Sequence, residues 1–173
     1  MAKSAKGSAR RNTRKLTAPA RLSHVNADGT VRMVDVGAKA TTSREAIARG
    51  RITMSREAVR QIRAGTVKKG DPLQAARIAA IMAAKQTANV IPLCHPLPLT
   101  HVDVALMPIA AGYDIEARVR TTAQTGVEME ALHAVAVAAL TVYDMIKAVD
   151  KRRVIGDIRL VEKRGGQGGD FRR

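Results

Sequence analysis

The sequence predicts an α+β sandwich, with helices packed on one face of a mainly antiparallel sheet. Three observations carry that prediction. Stretches of period-two and period-3.6 hydrophobicity alternate along the chain, which places strands and helices in turn. Two period-two runs, LTHVDVALMPI and YDIEARVRTT, flank AAGY between Leu99 and Thr122 and read as a hairpin. Aromatic content is only 2%, so the core must be built from Ala, Val, Ile, Leu and Met, which suits helices packed closely on a sheet.

The elements follow in order. TVRMVDV, Thr30 to Val36, alternates like a strand. Thr42 to Met54 is ambiguous, because SREAIARG suits a helix and GRITM a strand. Ser55 caps a helix bearing Ala58, Val59 and Ile62 at helical spacing, and Gly65 ends it. Asp71, with Pro72 at the first helical position, opens a longer helix to about Ala88, with Ala75, Ile78, Ala79 and Met82 along one face. The hairpin comes next, then a helix from TGVEMEAL through YDMIKAVDK, and VIGDIRLVEK forms a final strand. The apolar stretch from Ala131 to Val149 is long enough to span a bilayer, yet it is alanine-rich and holds His133, Asp144 and Lys147, so it reads as a buried helix.

Composition narrows the function. The net charge is +15, but residues 1–21 hold seven lysines and arginines and no acid, so nearly half of it belongs to a basic tail. That tail is expected to be a disordered leader, with an organellar transit peptide as its alternative, and 22–173 to be one catalytic domain. The body remains basic, which suits a phosphorylated small molecule or a polyanion. With three aromatics a base-stacking platform is not expected, and no nucleic-acid or membrane partner is predicted. Cys94 is the lone cysteine and no apolar signal region opens the chain, which points to the cytoplasm.

Chemistry concentrates in a few places. IPLCHPLPL sets Cys94 and His95 among Pro92, Pro96 and Pro98, a stiff segment that holds a side chain still. In TGVEMEAL, Thr125 and Glu128 have the spacing of a capping box, which leaves Glu130 free. Glu130, His133, Thr141, Asp144 and Lys147 form a thin polar stripe on the next helix, either a solvent face with an Asp144–Lys147 pair or a site. Fourteen residues separate Glu130 from Asp144, about 21 Å of helix, so both serve one small molecule only if a second copy supplies one end. VKKGD, Val67 to Asp71, is a solvated turn or a phosphate anchor ahead of a helix N-terminus. The histidines and the cysteine lack ligand spacing, so no metal is expected.

Taken together, MVDVGAKATTSREA, KKGD, IPLCHPLPL, TGVEMEAL, YDMIKAVDK and the glycine-rich tail, in this order, resemble the molybdenum-cofactor biosynthesis protein C family. The resemblance runs from about Leu22 to the C-terminus. It implies a ferredoxin-like fold, a homohexamer built as a trimer of dimers with sites at dimer interfaces, and no cofactor. It implies conversion of a 3′,8-cyclised dihydro-GTP, supplied by an upstream radical enzyme, to cyclic pyranopterin monophosphate with loss of pyrophosphate. The implied catalytic residues are Lys69, Asp144 and Lys147, with His95, Glu128 and Glu130 around the substrate. Leu93, Cys94 and Met129 match lining positions, Lys163 a tail lysine, and Arg44 adds a phosphate contact. The tail departs from the family's KSGGKSG, since KRGGQGG puts Gln167 where a lysine stands. Two other classes compete: a basic module gripping RNA or another polyanion without catalysis, and a scaffold whose function is to oligomerise.

Overall fold

The computed structural model describes residues 25–26, 28–166 and 168–173. The basic segment 1–21 and Gln167 lie outside the described residues. Contacts divide the chain into two compact units, Met1–Arg32 and Met33–Arg173. In the first, Val25 and Val31 form an isolated antiparallel bridge across a turn in which Asp28 Oδ1 accepts from Thr30 N at 3.0 Å.

The second unit runs β1 (Thr42–Thr53), α1 (Arg56–Ala64), α2 (Pro72–Lys85), α3 (Thr87–Val90), β2 (Leu99–Ile109), β3 (Gly112–Ala123), α4 (Glu128–Met145), β4 (Val154–Arg164) and β5 (Phe171–Arg172). Its sheet has the order β2-β3-β1-β4-β5, with every pair antiparallel. Without the short β5, this is the βαββαβ order of a ferredoxin-like fold. The predicted hairpin forms through Ala110 and Ala111.

Alternation decides the faces of the sheet. Ala46, Ala48 and Ile52 of β1, with Tyr113, Ile115, Ala117 and Val119 of β3, are buried in the core beside α2 and α4. Their neighbours Arg49, Arg51, Asp114 and Glu116 point the other way and pair across strands, Arg49 with Glu116 at 2.7 Å and Arg51 with Asp114 at 2.6 Å. The helices meet through small side chains, Ala76, Ala80 and Ala84 of α2 and Ala131, Ala134 and Ala138 of α4. Gly50 brings α4 onto β1, since a Cβ there would lie 2.6 Å from Val135 Cγ1.

Local signals held where their partners are local. Ser55 caps α1 through its side chain to Ala58 N, and Gly65 closes it in the left-handed region at φ 66°. Asp71 caps α2, whose N-terminus carries Pro72. One ambiguity is settled and four expectations are corrected, one of them the helix through YDMIKAVDK, since α4 ends at Met145. The Thr42–Met54 stretch is strand throughout Thr42–Thr53, because β3 and β4 pair along both its edges. Thr30–Val36 is not a strand, since Val34 O accepts from His95 and Val36 O from Lys39 N at 2.9 Å. The α2 face that enters this chain's core is Ala76, Ala80, Ala83 and Ala84, while Ile78 and Met82 are 61% and 53% exposed. Finally, α2 ends at Lys85, with Gln86 as its C-cap, rather than near Ala88.

Candidate active site

The 18-residue helix α4 carries candidate residues at both ends. At its C-terminal end the carboxylate of Asp144 is gripped by two amines. Lys147 Nζ donates to Oδ1 at 2.9 Å, and Lys69 Nζ donates to Oδ2 at 2.7 Å and to the Asp144 carbonyl at 3.1 Å. Lys69 is delivered by a tight turn in which Gly70 N donates to Val67 O at 3.0 Å, with Val67 buried and Gly70 at φ 98°. The hydrogen bond from Lys147 and then that from Lys69 hold the Asp144 carboxyl down at about 2, against 3.8 for a free side chain. All three groups remain exposed, so the cluster is open to a ligand.

At the N-terminal end the expected capping box does not form. Val127 is the N-cap and no side chain caps α4. The Glu128 carboxylate folds back over Gly126, where a Cβ would meet its Oε2 at 2.0 Å, and pairs with Lys163 Nζ at 3.3 Å. An amine on β4 has taken the carboxylate that the backbone would have used. Glu130 is only 4% exposed, and burial pushes its carboxyl upward, aided by the nearby charge of Glu128. Burial and then the charge of Glu130 raise the Cys94 thiol. Met129 is exposed on the same first turn, and Leu93 and Cys94 are half-buried.

The glycine tail closes on this end. Arg44 donates from Nη2 to Gln124 O at 3.2 Å, and its Nε is buried without a hydrogen-bond partner. A Cβ at Gly166 would fall 1.8 Å from Arg44 Nη1, and one at Gly165 2.3 Å from Ser43 O, so both tail glycines lie directly against β1. His95 Nε2 donates to Val34 O at 2.8 Å. That histidine borders an open cavity of about 380 Å³, with Val36, Thr41, Thr122 and Gln124 among its walls.

Within one chain the site residues therefore fall into two groups at opposite ends of α4. Lys69, Asp144 and Lys147 form one, and Arg44, Cys94, Glu128, Glu130 and Lys163 the other. Within one chain Lys69 does not sit with Lys163 and Arg44. The stripe residues between them are structural: Thr141 Oγ1 donates to Val137 O at 2.8 Å, and His133 Nδ1 bonds Thr87 Oγ1 at 3.2 Å. Among the described residues no three His, Cys, Asp or Glu side chains converge as a metal site.

Comparison with known proteins places this geometry. The family model described as the MoaC family matches residues 33–166. The chain belongs to that family. Every candidate from Arg44 to Lys163 lies inside the matched span, and the basic leader lies outside it. A cyclic pyranopterin monophosphate synthase of Chloroflexus aggregans is 59% identical over 154 residues, covering 88% of this chain and 93% of the relative. Those of Heliobacterium modesticaldum and Dinoroseobacter shibae are each 57% identical over 152 residues, 87% of this chain and 96% of the relative. Sequence reasoning passed over two residues that touch the candidate site, Gln124, whose carbonyl accepts from Arg44, and Arg153, which donates to the Tyr143 carbonyl. Neither carries a motif, and only the tertiary contacts reveal them.

Proposed function

We propose that this protein is a cyclic pyranopterin monophosphate synthase of molybdenum cofactor biosynthesis, converting (8S)-3′,8-cyclo-7,8-dihydroguanosine 5′-triphosphate to cyclic pyranopterin monophosphate and pyrophosphate. The observation that carries the reading is the Lys69–Asp144–Lys147 cluster, an exposed carboxylate held between two amines, in a chain whose relatives bear that enzyme's name. A carboxylate–amine cluster suits the two tasks the reaction sets. Opening the purine-derived ring requires protons to move, and Lys147 with Asp144 is placed to move them. A sugar hydroxyl then attacks the α-phosphorus, giving up its proton as the bond from phosphorus to the β-phosphate oxygen breaks and pyrophosphate leaves. Cations around the triphosphate stabilise the charge that grows on that leaving group.

The working unit we propose is a homohexamer, a trimer of dimers, with each site shared between two copies. Two observations support sharing. The two groups of site residues stand at opposite ends of one helix, about 27 Å long by its 18 residues of α-helical rise. The outer faces of the paired helices also expose Ile78, Met82 and Leu140, apolar side chains that a second copy would cover. Antiparallel pairing about a two-fold axis would then set Lys69, Asp144 and Lys147 of one copy beside Glu128, Glu130, Arg44 and Lys163 of the other. In that pocket His95 and the glutamates hold the ring system, lined by Leu93, Cys94 and Met129, while Arg44, Lys163 and Lys69 receive the phosphates.

No described helix is long and apolar enough to cross a membrane. The compartment we propose is the cytoplasm, as suits an unpaired thiol. The direct test is incubation with the cyclised triphosphate, following pyrophosphate and pyranopterin together. Equimolar release of both by the native chain, abolished in Lys147→Ala with folding and assembly retained, is the expected result. Absence of turnover by the native chain would overturn the function, and near-normal turnover by Lys147→Ala would remove Lys147 from the mechanism. The competing polyanion-binding reading instead predicts steeply salt-dependent binding that survives loss of Asp144 and Lys147.

A further inference from the structure

Arg153 is the least expected residue near the site. It follows the turn after α4, is only 8% exposed, and its Nη1 is buried with no hydrogen-bond partner. A buried guanidinium with an unmet donor is costly, so its remaining contacts must hold it in place. Its hydrogen bond and its ring contact both reach the end of α4, and its charge is also felt by Asp150. The guanidinium stacks on the Tyr143 ring, 3.5 Å from its centroid, and Nε donates to the Tyr143 carbonyl at 3.0 Å.

That carbonyl lies one residue before Asp144. In a continuing α-helix it would accept from Lys147 N, four positions on. Here Lys147 N turns instead to Asp144 O, at 3.5 Å, and the helix gives way to a tighter turn. Arg153 has taken the carbonyl that the next helical turn would have used, and its charge suits the negative end of the helix dipole. Within that turn Lys147 Nζ reaches Asp144 Oδ1 at 2.9 Å. The segment is fixed from the other side by Asp150, which accepts from Ser55 N at 2.6 Å and from Arg152 N at 2.8 Å, tying it to the start of α1.

We propose that Arg153 is a positioning residue, which sets the geometry of the Asp144–Lys147 pair by capping the end of α4 at the Tyr143 carbonyl. The catalytic part of this inference rests on the synthase reading given above, while the geometric part does not. Among the described residues the charged groups within ion-pair reach of Asp144 are Lys147 from its own turn and Lys69 from the loop before α2. A displaced Lys147 therefore reads out directly in the titration of Asp144.

The test uses the full chain and compares native protein, Arg153→Met and Arg153→Lys. Methionine keeps an extended apolar body without donor or charge. Lysine keeps the charge without the planar face for Tyr143. Carbon-13 NMR follows the Asp144 carboxyl through acid, and turnover is measured on the cyclised triphosphate at a temperature where melting curves show each variant folded. In Arg153→Met the Asp144 midpoint should rise toward the ordinary carboxylate range, and kcat should fall by about ten- to a hundred-fold with KM nearly unchanged, the scale of a small misplacement at a reacting group. Arg153→Lys should fall between native and methionine forms. If the methionine variant does not fold, the lysine variant decides by the same two readouts. A native-like Asp144 titration in the variants overturns the proposal, as does unchanged kcat beside an active native enzyme. A shifted titration with an inactive native chain would instead fail the synthase reading and leave the positioning role standing.

Discussion

Asp144 Oδ2 accepts from Lys69 Nζ at 2.7 Å across 75 positions of sequence, while Lys147, three residues away, donates to Oδ1 at 2.9 Å. One amine comes with the helix and the other from a distant loop. Their convergence depends on the packing of α2 against α4, which carries the turn holding Lys69 to the end of α4. The two amines favour the ionised form of that carboxylate.

Its titration has a definite sign. The Asp144 carboxyl is lowered from 3.8 to about 2 in the folded chain, so the pairing contributes stability that is present above the unfolded value and is lost as pH falls through about 2. The pair is exposed, and its contribution to global stability is correspondingly small. The carboxyl itself is the better probe. Lys147→Ala should raise the Asp144 midpoint more than Lys69→Ala, because the Lys147 hydrogen bond is the larger cause of the depression. Carbon-13 NMR of the labelled aspartates measures both shifts; equal shifts would contradict the ranking, and no shift in either variant would contradict the two-amine grip.

Gly166 tests the other end of α4. An alanine Cβ there would overlap Arg44 Nη1 at 1.8 Å and impose a side chain at φ +85°, whereas Gly168 has nothing within 4 Å of its added Cβ. Gly166→Ala should displace the Arg44 guanidinium and raise KM for the triphosphate by about ten-fold, the effect of roughly one lost charged contact. Gly168→Ala should leave KM within about two-fold, by the modest scale of a surface change. Steady-state kinetics on the two variants decide whether the tail acts by holding Arg44.

Much of the fold could be read directly because its signals are local. Ser55, Gly65, Asp71 and Pro72 set the ends of α1 and α2 from within a few residues, and alternation through AAGY gave the hairpin. Where competition was tertiary, the local pattern lost. The strand β1 was half-hidden by a helical pattern in SREAIARG, because its state is decided by partners on both edges. Glu128 had the spacing of a cap and went to Lys163, an amine 35 positions away. Ile78 and Met82 looked like core by spacing, yet Ala76 and Ala80 are the residues inside this chain, since periodicity marks apolar faces without saying which chain covers them.

The site was legible to the same degree. Asp144 and Lys147 are three residues apart and their pairing was expected from that spacing, although Lys147 lies in the turn beyond α4, while the separation of Glu130 from Asp144 followed from helix rise. Nothing local linked Lys69 to Asp144 or Arg153 to Tyr143, because those contacts are made by the fold. Lys69 stands at one end of α4, and Lys163 and Arg44 stand at the other.

That division makes sharing between copies the central claim, and subunit complementation tests it most directly. Glu130→Ala and Asp144→Ala chains, each inactive alone, are to be unfolded, mixed, refolded together and assayed after mixed assembly is verified by mass spectrometry. If each site draws Glu130 from one copy and Asp144 from another, some sites in the mixture hold both native residues, and activity reappears at about a quarter of the native level for random dimer pairing, in which half the dimers are mixed and one of their two sites is intact. Mixed assemblies with no recovered activity would contradict a site built from both ends of α4 on different chains.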